Sequence, residues 1–127
     1  MGAESNDPGI NRVAIIGAGT MGAQIASLTA FSGRTVTIFD ANAAALNRGL
    51  ERARTEILPA IAAAEMLPGT PAEAEQRLHP ATSLGEAVTD ADLVIEAVRE
   101  DLETKRGVFA DLSRLAPRTA ILATNSS

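Results

Sequence analysis

Residues 12 to 22 read Arg12-Val13-Ala14-Ile15-Ile16-Gly17-Ala18-Gly19-Thr20-Met21-Gly22. A short apolar run, rich in β-branched residues, ends in three glycines spaced G-x-G-x-x-G. The run reads as a buried strand. From Thr20 to Ser32 the period changes: Met21, Ile25 and Leu28 recur at intervals of four and three, the spacing of one helix face, and Gly33 follows as a stop. A second apolar run, Thr35 to Phe39, ends in Asp40, eighteen residues beyond Gly22.

Strand, glycine turn, helix, then strand with a carboxylate at its tip is the context that gives the glycines a physical meaning. Gly17 lets the chain turn sharply from strand into helix. Gly19 presents no side chain, so backbone can approach a pyrophosphate. Gly22 lets the helix pack closely on the strand. The helix start offers N–H groups and the positive end of a dipole to phosphates. Asp40 is placed to accept hydrogen bonds from the adenosine ribose hydroxyls. These residues therefore predict a dinucleotide site. A 2′-phosphate ~4 Å from the Asp40 carboxylate would be repelled by several kcal/mol at an effective dielectric of about 20. Ala41 and Asn42 follow, with no arginine to clamp such a phosphate. NAD is favoured over NADP, and FAD stays open as the less favoured alternative.

The rest of the chain continues the alternation. Ala41 to about Leu58 reads as a second helix that Pro59 should kink or interrupt. Pro68-Gly69 is a break. Thr70-Pro71-Ala72-Glu73 looks like a capping box opening a short helix to about Leu78. A short strand is expected over residues 80 to 84, then one helical turn from Gly85 to Thr89. Asp92 to Val98 reads as a buried strand. Leu102 to Leu115 reads as an amphipathic helix with Leu102, Phe109, Leu112 and Leu115 toward the core. Thr119 to Ala123 reads as the last strand. Strands alternating with helices imply an α/β fold, a Rossmann-type doubly wound parallel sheet forming a single domain over residues 12–127. Residues 1–11 read as a flexible polar leader.

The bulk composition bounds the function. The 127 residues carry a formal net charge of −5, which argues against a nucleic acid or an anionic membrane surface as partner. Aromatic residues make up 2%, so the core must be aliphatic and alanine-rich. Without cysteine there is no disulfide framework or thiolate site, and one histidine makes no usual zinc site. No apolar run approaches the ~20 residues that span a bilayer. A cytoplasmic protein is the default expectation.

With these residues in view, the chain resembles the NAD-binding domain of the 3-hydroxyacyl-CoA dehydrogenase family. The segment Val13 to Ala26 looks like the family's opening. Asp90-Ala91-Asp92-Leu93-Val94-Ile95-Glu96-Ala97-Val98-Arg99-Glu100-Asp101-Leu102 with Lys105 looks like its fourth strand and the loop after it. Ile121-Leu122-Ala123-Thr124-Asn125-Ser126-Ser127 looks like the end of its fifth strand. The resemblance implies reversible oxidation of a 3-hydroxyl group by hydride transfer to NAD, in fatty acid metabolism. The implied substrate is an acyl-CoA or a small hydroxy acid, and the implied assembly is a homodimer. It implies cofactor contacts from Gly17, Gly19, Thr20, Met21, Gly22, Asp40, Glu100, Lys105, Asn125 and Ser127. Ser127 also matches the serine that touches the substrate oxygen, a catalytic position. Two departures stand out: Ser126 replaces the usual threonine, and Arg99 replaces proline or a small apolar residue. The family's CoA-contacting serine and lysine have no clear match in Arg48 to Ala64.

Bland readings compete at other positions. Glu96, inside an apolar strand, is read equally as structural or as part of the crevice. Lys105, apart from the resemblance, reads as a solvated helix lysine paired with Glu100 or Glu103. His79 reads as a loop or C-cap histidine. Arg52 and Arg54 read as a solvated face with Glu51 and Glu56. Gly49 and Gly107 each cost about 1 kcal/mol inside a helix and suggest close packing. The resemblance places the family's general-base histidine, its orienting glutamate and a helical substrate domain beyond the position of Ser127. These residues are therefore expected to hold NAD yet to be inactive alone. A stand-alone NAD-binding module in a sensing or structural role is the alternative.

Overall fold

A parallel sheet, β1 (Arg12–Ile16), β2 (Thr35–Phe39), β3 (Leu78–Pro80), β4 (Leu93–Glu96) and β5 (Ile121–Thr124), is ordered β3-β2-β1-β4-β5. The structure, a computed structural model, describes residues 9–98 and 102–124, without the side chains of 102–104. Six α-helices are described: α1 (Thr20–Phe31), α2 (Ala43–Arg52), α3 (Leu58–Ala63), α4 (Pro71–Gln76), α5 (Leu84–Val88) and α6 (Leu102–Leu115).

The period of two along β1 divides the core. Val13 and Ile15 pack with residues of α1, α3 and α4 on one face, including Ala26, Leu58, Ile61 and Ala74. Ala14 and Ile16 pack on the other face with Ala87, Val88 and Leu112 of α5 and α6. Both faces of β1 are thus covered, as parallel sheets require. Each fully buried side chain such as Ile15, Ile38 or Leu58 contributes about 1.5–3 kcal/mol.

The sheet is doubly wound, as expected. Chain leaves β1 through α1 to β2 on one side and leaves β4 through α6 to β5 on the other. The carboxyl ends of β1 and β4 therefore flank the switch point, where ligands of such sheets bind.

Several local expectations need correction. The expected α1 face of Met21, Ile25 and Leu28 is not the buried one: Met21 is 53% exposed and Leu28 39%, and Ile25 is half-buried. The buried stripe is Gly22, Ala23, Ala26, Ser27, Ala30 and Phe31. Small residues let α1 approach the sheet, and the Ser27 hydroxyl is satisfied by donating to the Ala23 carbonyl at 2.7 Å.

The second helix begins at Ala43, not Ala41. The Asn42 N–H donates to Asp40 Oδ1 at 2.8 Å, and Asn42 Oδ1 accepts from Ala45 N–H, so Asn42 is the cap. The disturbance expected around Pro59 takes the form of a helical irregularity just before it, and the chain stays helical through it. A π-helical turn (Ala53–Ile57) joins α2 to α3, and Leu58 N–H reaches back to the Ala53 carbonyl. The wider turn places Pro59 in the first turn of α3, a position that proline tolerates.

The capping box of α4 forms, with Glu73 N–H donating to Thr70 Oγ1 at 3.2 Å and Thr70 N–H to Glu73 Oε1 at 3.0 Å. That helix ends at Gln76. The third strand lies at Leu78–Pro80 rather than 80 to 84, because Ser83 caps α5 by accepting from Glu86 N–H. His79 is therefore an exposed edge-strand residue, not a loop residue. On α6, Leu112 is fully buried, whereas Leu115 is 38% exposed, against expectation; the side chain of Leu102 lies outside the described residues. The last strand starts at Ile121, after a turn in which Ala120 N–H donates to the Pro117 carbonyl.

Candidate dinucleotide site

The glycine loop is built from backbone packing. Gly17 has φ +112°, a conformation side chains disfavour, and a Cβ there would stand 2.7 Å from the Ala97 carbonyl oxygen. Its N–H donates to the Phe39 carbonyl at 2.7 Å, while Ala97 N–H donates to the Ile16 carbonyl at 2.7 Å. The loop is thereby tied to the ends of β2 and β4. A Cβ on Gly22 would stand 1.8 Å from the Gly17 carbonyl oxygen, so α1 meets the turn backbone to backbone.

Gly19 differs. A Cβ there would meet nothing within 4 Å, so its missing side chain leaves open space outside the loop. Gly19 is also the N-cap of α1; no side chain caps this helix, and its first turn holds no acidic residue. The contrast is with α4, whose first N–H groups are taken by Thr70 and Glu73. An open, uncapped helix start fits a pyrophosphate.

Asp40 joins the loop directly. Its Oδ2 accepts from Ala18 N–H at 2.8 Å, inside the glycine motif, and its Oδ1 accepts from Asn42 N–H at 2.8 Å. A carboxylate has about four acceptor sites, so two oxygens each holding one N–H still have room for ribose hydroxyls. The separation of motif and carboxylate in sequence is closed to one hydrogen bond.

Thr20 and Met21, the first residues of α1, are exposed beside Gly19. Above them lies a residue read from sequence as solvated: Arg52 Nη1 donates to Thr20 Oγ1 at 3.4 Å. Its position follows from Gly49, where a Cβ would stand 2.5 Å from the Ala18 carbonyl oxygen, so α2 docks on the loop and carries Arg52 to it. The expectation of close packing at Gly49 holds; at Gly107 a Cβ would meet nothing within 4 Å. Arg54 pairs with Glu51 on the exposed side. The signal for Arg52 in sequence was its i+3 spacing from Gly49.

Across the crevice, Glu96 ends β4 and is fully buried. Its Oε2 accepts from the Lys105 ammonium at 3.0 Å and from Val98 N–H at 2.6 Å, and its Oε1 from the Thr124 hydroxyl at 2.6 Å. Lys105 also donates to the Val98 carbonyl at 3.1 Å. Burial pushes the Glu96 carboxyl up; the Thr124 hydroxyl, the Lys105 ammonium and the Val98 N–H together outweigh it and hold its pKa below the usual carboxylate value. Lys105 is thus a mostly buried partner of Glu96, not a solvated lysine. Glu100, Asn125 and Ser127 lie outside the described residues, as do Arg99 and Ser126.

Among the described residues, no group of three His, Asp or Glu side chains is placed to hold a metal, and no helix is long and apolar enough to cross a membrane.

Comparison with known proteins gives the family and its cofactor. The family described as "3-hydroxyacyl-CoA dehydrogenase, NAD binding domain" matches residues 12–127. The chain is 37% identical over 118 residues to 3-hydroxyadipyl-CoA dehydrogenase of Escherichia coli K12, covering 93% of this chain and 25% of that protein. It is 36% identical over 119 residues to 3-hydroxybutyryl-CoA dehydrogenase of Mycobacterium tuberculosis, covering 93% of this chain and 41% of that one. A solved diketoreductase superposes with a TM-score of 0.87 at 40% identity, over 95% of this chain and 43% of its own. The chain thus spans less than half the length of each of these relatives.

Proposed function

Because the chain belongs to the 3-hydroxyacyl-CoA dehydrogenase family as its NAD-binding domain, we propose that it holds NAD for the reversible oxidation of a 3-hydroxyacyl-CoA, or a related 3-hydroxy acid, to the 3-keto form. The single observation that carries the cofactor assignment is the hydrogen bond from Ala18 N–H to Asp40 Oδ2, which joins the glycine loop to the ribose-reading carboxylate.

NAD, when bound, accepts the hydride. The residues of this chain bind and orient. The α1 start and Gly19 receive the pyrophosphate, with Arg52 adding a positive charge beside it. Asp40 receives the adenosine ribose and repels a 2′-phosphate. Lys105, held by Glu96, lies on the nicotinamide side, and we assign Glu100, Asn125 and Ser127 to the same side, Ser127 toward the substrate oxygen.

Alcohol oxidation also needs a base for the hydroxyl proton. His79 is exposed on edge strand β3, with β2 and β1 between it and β4. It is not placed for that work. We therefore assign the base to polypeptide other than these residues, in the helical substrate domain that the family resemblance implies. Purified alone, the chain is expected to bind NADH yet not to reduce acetoacetyl-CoA. Titration with NADH, followed by nucleotide fluorescence, and an acetoacetyl-CoA reduction assay test this reading. Absent binding contradicts the first half of it, and robust turnover the second.

A further inference from the structure

Glu96 is the one carboxylate among the described residues with no exposed surface. A buried charge costs several kcal/mol unless it is paired and hydrogen-bonded. Here three donors from three elements converge on it: the Val98 backbone just past β4, the Lys105 ammonium on α6 and the Thr124 hydroxyl at the end of β5. Among the described residues, no buried side-chain nitrogen or oxygen lacks a partner. A carboxylate used only to hold a fold need not sit at a strand's carboxyl end. This one does, level with Ile16 across β1 and Thr124 across β5.

In doubly wound sheets, ligands bind outside that level, beyond the carboxyl ends of the strands. A dinucleotide would lie across the switch point, with its adenosine half toward Asp40 at the end of β2. A dinucleotide bound in this way would carry its other half toward the ends of β4 and β5, the side on which Glu96 stands. Asp40 and Glu96 do parallel work on opposite sides. Asp40 ties the loop after β1 to the end of β2; Glu96 ties the chain after β4 to α6 and to the end of β5.

We propose that Glu96 is a positioning residue for the nicotinamide half of the cofactor: it fixes Lys105, Val98 and Thr124 as one unit and neutralises the Lys105 charge beneath the ring. The proposal rests on the dinucleotide reading above. Its second part has an electrostatic consequence. The nicotinamide ring is positively charged when oxidised and neutral when reduced. An ammonium paired with a carboxylate leaves the two redox states in nearly equal fields. Removing the carboxylate charge leaves a bare positive charge that opposes the oxidised ring more than the reduced one. Removing the ammonium reverses the sign.

The test is a set of affinities measured by NADH fluorescence, with NAD and ADP-ribose as competitors, on the wild-type chain, Glu96→Gln, Lys105→Met and Thr124→Val. ADP-ribose carries the adenosine half and the pyrophosphate but no nicotinamide. For Glu96→Gln we expect NADH affinity to fall about fivefold or more and NAD affinity to fall further, by about another threefold, with ADP-ribose within about twofold of wild type. For Lys105→Met the ratio of NAD to NADH affinity should move the other way. Thr124→Val removes one neutral donor, and should weaken NADH more than ADP-ribose without moving that ratio. It keeps the proposal testable if Glu96→Gln does not fold, since equal loss of both ligands, or of neither, then overturns it. For Glu96→Gln itself, NADH and ADP-ribose falling in parallel shows a structural role only and overturns the proposal, as does unchanged NADH affinity. If the wild-type chain binds both NADH and ADP-ribose and the variants fail as described, the proposal alone fails. If it binds neither, the dinucleotide reading fails and takes the proposal with it.

Discussion

A Cβ on Gly49 would stand 2.5 Å from the carbonyl oxygen of Ala18, so α2 rests its backbone on the glycine loop. Two elements far apart in sequence thereby share one contact, and the loop is supported from outside the sheet as well as from within.

Gly49→Ala should be destabilising although alanine is the better helix former. Propensity favours the change by about 1 kcal/mol. Overpacking against fixed backbone costs about 1–3 kcal/mol, so packing wins. Gly107→Ala has the opposite sign, because a Cβ there meets nothing within 4 Å and the propensity gain of up to about 1 kcal/mol is kept. Urea unfolding of both variants reads the difference. A stabilised Gly49→Ala would show that α2 does not press on the loop.

Gly19 and Gly22 should separate binding from folding. Gly19→Ala adds a methyl group into open space, so the thermal midpoint should hardly change, while NADH affinity falls about tenfold or more, equivalent to about 1.4 kcal/mol. Gly22→Ala places a Cβ 1.8 Å from the Gly17 carbonyl oxygen, so stability itself should fall. Calorimetry beside NADH titration separates the two. Undiminished NADH affinity in Gly19→Ala would remove the pyrophosphate from its assigned place.

Two of the carboxylates that contribute to acid stability are Asp92 and Glu96. Asp92 Oδ2 accepts from Asn11 N–H and Arg12 N–H, each at 2.9 Å, and these bonds, the Asn11 one foremost, hold its carboxyl below the usual range. Glu96 is also lowered, as the donors around it outweigh its burial. Both bind fewer protons folded than unfolded. Their stabilisation is therefore full above the unfolded values of about 3.9 and 4.3 and is lost as pH falls through the folded values. Urea midpoints should be flat near pH 6 and drop below about pH 4. Asp92→Asn should begin less stable and lose less over that acid range. An equal loss in the variant would mean that Asp92 is not a source of the dependence.

Strands β1, β2, β4 and β5 and the glycine loop are legible in the sequence because they rest on local signals, whereas β3 lies two residues earlier than expected. A strand of β-branched residues, glycines at fixed spacing and Asp40 at a strand tip need no knowledge of distant partners. The α1 face was misread because small residues carry it. Gly22, Ala26 and Ala30 score weakly as hydrophobic, yet they are buried where a helix must lie close to a strand. Pro59 signals a kink or interruption of the helix, but the π-helical turn that precedes it has no residue signature of its own. The positions of Arg52 and Lys105 depend on tertiary docking, the first on Gly49 against Ala18 and the second on Glu96. Each reads alone as a solvated cation. Glu96 was visible as an oddity within an apolar strand, but its three donors come from separate elements that only the fold assembles.

The central claim is that the glycine loop and Asp40 form one NAD-selective surface. It is tested most directly by titrating the wild-type chain with NADH and NADPH in parallel, with Asp40→Ala beside it. The account predicts that the wild type binds NADH at least about tenfold more tightly than NADPH, a difference of about 1.4 kcal/mol, and that Asp40→Ala narrows the ratio even as it weakens NADH. Equal or tighter binding of NADPH by the wild type would contradict it.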